Sequence, residues 1–510
     1  GGVRAARVAG SRGLKVGIAE SWSLGGTCVN RGCVPKKLYS YASHFSNEFE
    51  IMRSFGWDPK KLSFNWKKLV SNKKQELRRL NKIYLNLLLN SKVKIFEREA
   101  SFIDNETLNV GGEIIKAKKI LIAVGSKPRI MNFAAGKNII NSDKAFDIKK
   151  LPKNVLILGG GYISVEFASI FNGLGVDTTV CIRGEKILKG FDLEVATEIM
   201  KQMGDKGVKF LTQKFPKEIS YQEGKFDVSY NKKKKKKYDL VMEAVGRVPN
   251  IKNLNLDNTD IKVNKNGSII VDKFFKTSAK NVFAIGDVID RIQLTPVAIA
   301  EAMVFVNNLK SSKKKSFEYK NIPTAVFCNP NYSYVGLSEE EAKKKFKKID
   351  IYRSSFRPLK YSLSKTKEKV FIKLVVNKET DKVLGLHYVG DALALVIVLF
   401  GLVRAIIGSG SETDLQTTTT VAAEPAIPAS TSEFTIVARG GSSFVAARQV
   451  DDRKVIYQGT LADGESATVK KSGAVEIVLT QPDAIVIKNG NEDIRATGSG
   501  VGGSSKIRIP

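Results

Sequence analysis

Histidine is the scarcest residue that could carry acid–base chemistry: His44 and His387 are the only two in 510 positions. No His cluster can hold a metal, and no metal site is expected. Four cysteines are too few for a disulfide-stapled scaffold. A membrane-spanning helix needs about 20 consecutive apolar residues. The strongest apolar run, Ala392 to Ile407, stops at sixteen and contains Arg404. Acidic residues are outnumbered, 51 against 83 basic, for a net charge of +32. The excess belongs to residues 1–390, with 72 Lys and Arg against 38 Asp and Glu; residues 391–510 hold 11 against 13. Such charge invites a nucleic-acid or membrane partner. The lysines are spread over predicted surface positions, so no nucleic-acid function is expected. No Met and no secretory signal opens the chain. Gly1-Gly2-Val3-Arg4-Ala5-Ala6-Arg7 reads as the end of a dinucleotide fingerprint whose first strand and glycines are missing.

What is present is a redox-capable pair. Cys28 and Cys33 stand five apart in Gly25-Gly26-Thr27-Cys28-Val29-Asn30-Arg31-Gly32-Cys33-Val34-Pro35-Lys36-Lys37, after a short predicted strand, Leu14 to Ala19, that ends in Glu20. Cysteines this close can close a small disulfide loop, which in a cytosolic enzyme points to catalysis. If Cys33 opens a helix, the helix N-terminus with Lys36 and Lys37 favours a thiolate. An acid after the second strand of a Rossmann unit can bond a ribose hydroxyl, which makes Glu20 a ribose candidate.

A complete second fingerprint follows. The apolar strand Asn154 to Leu158 runs into Gly159-Gly160-Gly161-Tyr162-Ile163-Ser164 and the helix Val165 to Leu174. Glycines there let a pyrophosphate reach backbone N–H groups at the helix start. The next strand, Asp177 to Ile182, ends in Arg183 rather than an acid, with Lys189 six residues on. Cations suit a 2′-phosphate, so NADPH is expected over NADH. Lys232 to Lys237 reads as a solvated hairpin loop between strands Lys225 to Tyr230 and Tyr238 to Glu243.

The cysteine segment resembles that of the glutathione reductases, flavin-dependent pyridine nucleotide–disulfide oxidoreductases, and the resemblance runs from Gly1 to about Gly390. It implies an α/β fold: two Rossmann-like FAD- and NAD(P)-binding domains plus a truncated α+β interface domain, followed by an apolar helix and a small all-β domain. The expected boundaries are 1–150 and 251–318 for the FAD-binding domain, 151–250 for the NADPH-binding domain and 319–390 for the interface, or dimerisation, domain. The implied activity is NADPH-dependent, FAD-linked reduction of glutathione disulfide by a cytoplasmic homodimer. Cys33 would take electrons from the flavin and Cys28 would attack the substrate. Lys36 and Glu166 would tune the charge beside the ring. Gly1, Gly2, Glu20, Gly26, Thr27, Gly125, Gly246, Gly286, Asp287, Leu294 and Thr295 would hold FAD. Gly159, Gly161, Tyr162, Ile163, Arg183 and Lys189 would hold NADPH, with Tyr162 as the ring over the nicotinamide pocket. Arg7, Ile83 and Tyr84 would contact glutathione. Lys189 departs from the family's usual Arg, supplying charge without a bidentate fork.

After Gly390 the pattern is expected to stop. The family continues to a His-Pro segment whose His serves the interchange thiol, and neither His44 nor His387 matches it. The activity is therefore expected to be impaired. Residues 391–410 read either as a transmembrane helix or as a buried interface helix. Residues 411–433 read as a Thr-, Ser-, Ala- and Pro-rich linker, and residues 434–510 as a small β-sandwich or barrel. This tail loosely resembles the C-terminal half of RodZ-type cell-shape proteins. The alternative is thus a natural fusion or artefactual chimera, tethered to an inner membrane, with a non-enzymatic periplasmic envelope module.

Overall fold

The computed structural model describes residues 1–58, 63–231, 234–390, 433–438, 443–449, 455–471, 474–479, 485–489, 492–495 and 505–509. The chain divides into two compact units, Gly1–Ser411 and Glu412–Pro510.

The first unit opens on the helix Gly2–Ser11, whose Ala5, Ala6 and Ala9 are buried. These small residues let it lie close to its neighbours. Ala6 packs with Leu88 of the helix Trp66–Asn90, and Ala5 and Ala9 pack with Ala302 and Phe305 of the helix Thr295–Asn308. Two parallel strand pairs flank this helical layer: Gly17–Ala19 with Lys94–Phe96, and Ile120–Ile122 with Val282–Ala284. A three-stranded antiparallel sheet spans Ala100–Phe102, Thr107–Val110 and Glu113–Lys116.

The middle of the unit is a five-stranded parallel sheet in the order Lys209–Leu211, Asp177–Cys181, Asn154–Leu158, Leu240–Glu243, Ile140–Asn141. Val155 to Leu158 are all buried, as a strand covered on both faces requires. The helix Tyr162–Gly173 crosses between the first two central strands and buries Val165, Phe167, Ala168, Ile170 and Phe171.

The lysine run departs from its expected place. Lys234–Tyr238 is itself a strand, antiparallel to Lys225–Asn231, in a three-stranded sheet with Glu218–Gln222. Lys235, Lys236 and Lys237 are exposed on its edge, where charge blocks pairing with a further strand. Tyr238 ends this strand, and Leu240–Glu243 belongs to the parallel sheet instead.

Last comes an antiparallel sheet in the order Thr324–Val326, Asn331–Gly336, Val383–Gly390, Val370–Asn377, Ile349–Phe356. The second unit shows two four-stranded sheets. One runs Ser466–Lys470, Glu433–Ala438, Ile485–Asn489, Glu492–Arg495; the other runs Val455–Leu461, Ser443–Gln449, Val475–Leu479, Ser505–Ile509. Alternate residues from both, among them Phe434, Ile436, Val445, Ile477 and Ile487, form one core. The apolar stretch Ala392 to Ile407 and the linker that follows lie outside the described residues. Among the described residues no helix is long and apolar enough to cross a membrane.

Candidate active site

Gly32 separates two helices, Gly26–Arg31 and Cys33–Ser54. A Cβ on it would meet the Thr27 carbonyl oxygen at 2.9 Å, so the break between the helices is closed tightly over itself. This geometry brings the half-buried Cys28 and Cys33 together as free thiols. They hydrogen-bond to one another, and the Thr295 hydroxyl lies against both. Cys33 begins its helix and Thr295 begins another, so two helix N-termini converge on the sulfurs. The hydrogen bond from Cys33 pulls Cys28 down to about 6, and Thr295 and Lys36 add to the effect. The same bond pushes Cys33 up, with burial in the same direction. The pair thus holds one proton between two sulfurs.

One turn into the same helix, Lys36 is buried against Glu166 of the helix Tyr162–Gly173. Burial opposes the lysine's charge, but Glu166 outweighs it and raises Lys36 above its ordinary value. The other Glu166 oxygen accepts the Phe327 amide at 2.8 Å. Tyr162 lies beside the lysine, its ring 5.4 Å from the Nζ.

The dinucleotide residues divide into two sets. In the first, the helix Gly2–Ser11 starts with no side-chain cap, leaving its first N–H groups unspent. A Cβ on Gly1 would meet the Ala298 oxygen at 3.0 Å. Glu20 closes the strand Gly17–Ala19 and accepts the Trp22 amide at 3.0 Å. Asp287 follows Gly286, whose φ of 75° lies in the left-handed region. Its carboxylate accepts Ser126 Oγ at 2.8 Å, and Arg247 Nε donates to that hydroxyl at 2.8 Å. Gly125 and Gly246, both at positive φ, stand directly before Ser126 and Arg247, with open space where a side chain would project. Uncapped helix start, terminal strand acid and aspartate after a Gly turn fit the pyrophosphate, ribose and ribityl groups of FAD. Leu294 caps the Thr295 helix through its backbone alone. Gly26 and Thr27 begin the Cys28 helix.

In the second set Gly159 has φ 114°, and a Cβ there would strike the Ala244 oxygen at 2.4 Å. Gly161 caps the helix Tyr162–Gly173 without a side-chain bond, and Ile163 packs into the surrounding core. Arg183 and Lys189 are exposed on the loop after the strand Asp177–Cys181, with Arg183 over the Phe215 ring at 4.4 Å. Bare helix N–H groups plus two exposed cations fit NADPH.

Arg7 and Tyr84 lie within electrostatic reach of each other, and Tyr84 also of Cys28. Ile83, next to Tyr84 in the chain, is exposed. His44 Nδ1 sits 2.6 Å from the Ser40 oxygen in its own helix. His387 is buried in the antiparallel sheet, 2.9 Å from Tyr332 Oη and stacked on Tyr334. Neither is among the groups that act on the two sulfurs.

Sequence reasoning missed Ser126, Arg247 and Glu301. Glu301 is buried, takes the Gly286 amide at 2.6 Å and is bonded by Tyr319 Oη at 2.5 Å. Its only signal was a carboxylate two turns into an otherwise apolar helix.

The pyridine nucleotide-disulphide oxidoreductase model matches residues 1–302, and its dimerisation-domain model matches residues 322–433. The second match runs past Gly390, across the stretch outside the described residues. Glutathione reductase of Burkholderia cepacia is 40% identical over 419 residues, covering 82% of this chain and 93% of that protein. The chloroplastic/mitochondrial glutathione reductase of Pisum sativum is 41% identical, covering 77% of this chain and 74% of its own. Trypanothione reductase of Leishmania donovani is 37% identical, covering 74% and 81%. Among solved structures, the flavoprotein disulfide reductase RclA of Escherichia coli, in its Cu(II) complex, aligns with a TM-score of 0.70 at 25% identity, covering 82% of this chain and 95% of that one. The chain therefore belongs to the pyridine nucleotide-disulphide oxidoreductases, as a glutathione-reductase-type member of a family that works with FAD and NADPH.

Proposed function

We propose that the chain reduces glutathione disulfide with electrons from NADPH, through the Cys28–Cys33 pair. The observation that carries this is two free, mutually hydrogen-bonded sulfurs set between two helix N-termini, with Arg7 and Tyr84 alongside. Bound FAD supplies the two-electron path from NADPH to the Cys28–Cys33 disulfide. Once reduced, Cys28 presents the thiolate and attacks one substrate sulfur. The substrate S–S bond breaks, one glutathione thiolate leaves and takes a proton, and a Cys28–glutathione disulfide remains. Cys33 then gives up its proton, attacks the Cys28 sulfur, re-forms the internal disulfide and expels the second glutathione thiolate; the Cys33 proton and one from solution convert the two leaving thiolates to thiols. NADPH is oxidised by two electrons, and one disulfide becomes two thiols. Lys36, held charged by Glu166, keeps positive potential beside the pair. Arg7 offers a guanidinium for a glutathione carboxylate. The dimerisation-domain match supports a homodimer, and working thiols suit a reducing, cytoplasmic compartment.

Trapping tests the reading. The Cys33→Ser variant, reduced and mixed with glutathione disulfide, should carry one glutathione on Cys28 by mass spectrometry. The Cys28→Ser variant should carry none. Glutathione on neither residue would end the proposal. The alternative, a membrane-tethered fusion serving the envelope, is weaker, because the dimerisation match runs through residues 392–407.

A further inference from the structure

The loop carrying Arg183 and Lys189 is fastened at its far end by a buried ion cluster that the reaction itself does not use. Ile187 and Leu188 are buried, and the Leu188 amide donates to the Gly160 oxygen at 2.7 Å, tying the loop to the glycine turn. Phe191 packs on Tyr332 and Tyr334 of the antiparallel sheet. Asp192, fully buried, caps the helix Leu193–Asp205 by accepting the Val195 amide at 3.2 Å. It also accepts the Glu339 amide at 3.0 Å.

At the centre sits Lys373, with no exposed surface, on the strand Val370–Asn377. Its Nζ reaches Asp192 at 2.9 Å, Glu194 at 2.8 Å and Glu339 at 2.7 Å. Arg353 bonds Glu194 at 2.7 Å, Lys343 bonds Glu339 at 2.6 Å, and His387 stands 4.0 Å from Asp192. Three carboxylates meet three permanent cations there, with Glu340, which accepts the Leu193 amide at 3.3 Å, beside them. Lys373 holds the NADPH-binding layer to the antiparallel sheet at the point where the loop ends.

We propose that Lys373 is a positioning residue for nucleotide choice: by fixing Asp192 it sets where Arg183 and Lys189 stand, and so how well a 2′-phosphate is gripped. A nucleotide lacking that phosphate does not read the loop and is indifferent to the cluster. This rests on the NADPH reading of the Arg183 loop.

The test is a fluorescence titration of NADPH and NADH on the full chain, with folding followed by thermal melting. Lys373→Met should weaken NADPH about tenfold and leave NADH within twofold. The charge-balanced pair Lys373→Met with Asp192→Asn should do the same. Arg353→Gln, on a half-exposed side chain at the rim of the cluster, should shift the ratio in the same direction by two- to threefold. Lys373→Arg should restore part of the preference. Arg183→Ala serves as the control. If it loses the NADPH preference while the folded cluster variants keep theirs, the positioning role is overturned. If Arg183→Ala itself keeps the preference, the cofactor reading of the loop fails instead. Should neither Lys373 variant fold, an unchanged ratio in Arg353→Gln overturns the proposal.

Discussion

Two thiols that share a proton behave unlike two separate thiols. The first proton leaves easily because the remaining S–H, Thr295 and Lys36 all stabilise the anion. The second leaves with difficulty because it would put two charges side by side. In the reduced chain, iodoacetamide should therefore modify Cys28 with a midpoint near pH 6, against about 8.5 for an ordinary thiol. At pH 7 that is roughly 90% thiolate rather than a few per cent. Mass spectrometry of the alkylated peptide across pH 5 to pH 9 reads it directly. A midpoint above pH 8 would show that the sulfurs do not interact. Lys36→Met tests the charge behind them. It removes a cation that favours the thiolate and leaves the buried Glu166 without its partner. The alkylation midpoint should move up. Stability measured by denaturant should fall by about 3–5 kcal/mol, as expected for an uncompensated buried charge.

At the scale of elements, strand–glycine–helix units set the two nucleotide sites. Gly159 is the position where a glycine is required, at φ 114° and with the Ala244 backbone 2.4 Å from any Cβ. Gly159→Ala must bend the strand end or push Ala244 away. About 1–3 kcal/mol of strain is expected, with a lower melting temperature and weaker NADPH binding in the same titration. Unchanged binding in a destabilised variant would separate the turn from the site. Such units were legible because their signal is local: an apolar run, glycines, then helix periodicity. The pairs that lock the elements together were not. Ser126 and Asp287 are 161 residues apart, and Lys373 and Asp192 are 181 apart. Nothing in either neighbourhood announces the other. The lysine run misled for a physical reason. Charge was read as loop, whereas an exposed edge strand accepts lysine on both faces, and Phe226 and Val228 of the adjacent strand bury the hairpin's one apolar side.

Across the whole molecule, the scarcity of histidine bears on how the leaving thiolates are protonated. Two stand in the sequence, both among the described residues: His44 Nδ1 lies against the Ser40 oxygen and His387 Nδ1 against Tyr332 Oη. Each glutathione thiolate leaving the site must still take a proton. The Cys33 thiol gives up one such proton when it attacks; the other comes from water or buffer, and positioned general acids are typically worth 10²–10⁴-fold. The two halves of the cycle should therefore separate. Reduction of the Cys28–Cys33 pair by NADPH needs no such acid and should run at an ordinary rate. Discharge to glutathione disulfide should be slower by about 10²-fold or more. Stopped-flow mixing resolves the halves. At fixed pH and ionic strength, the discharge rate should rise linearly with imidazole concentration from a small intercept, because added imidazolium can supply the proton. A discharge rate that is fast and indifferent to imidazole would mean that another group donates the proton. Tyr84, within electrostatic reach of Cys28, would then be the residue to change first.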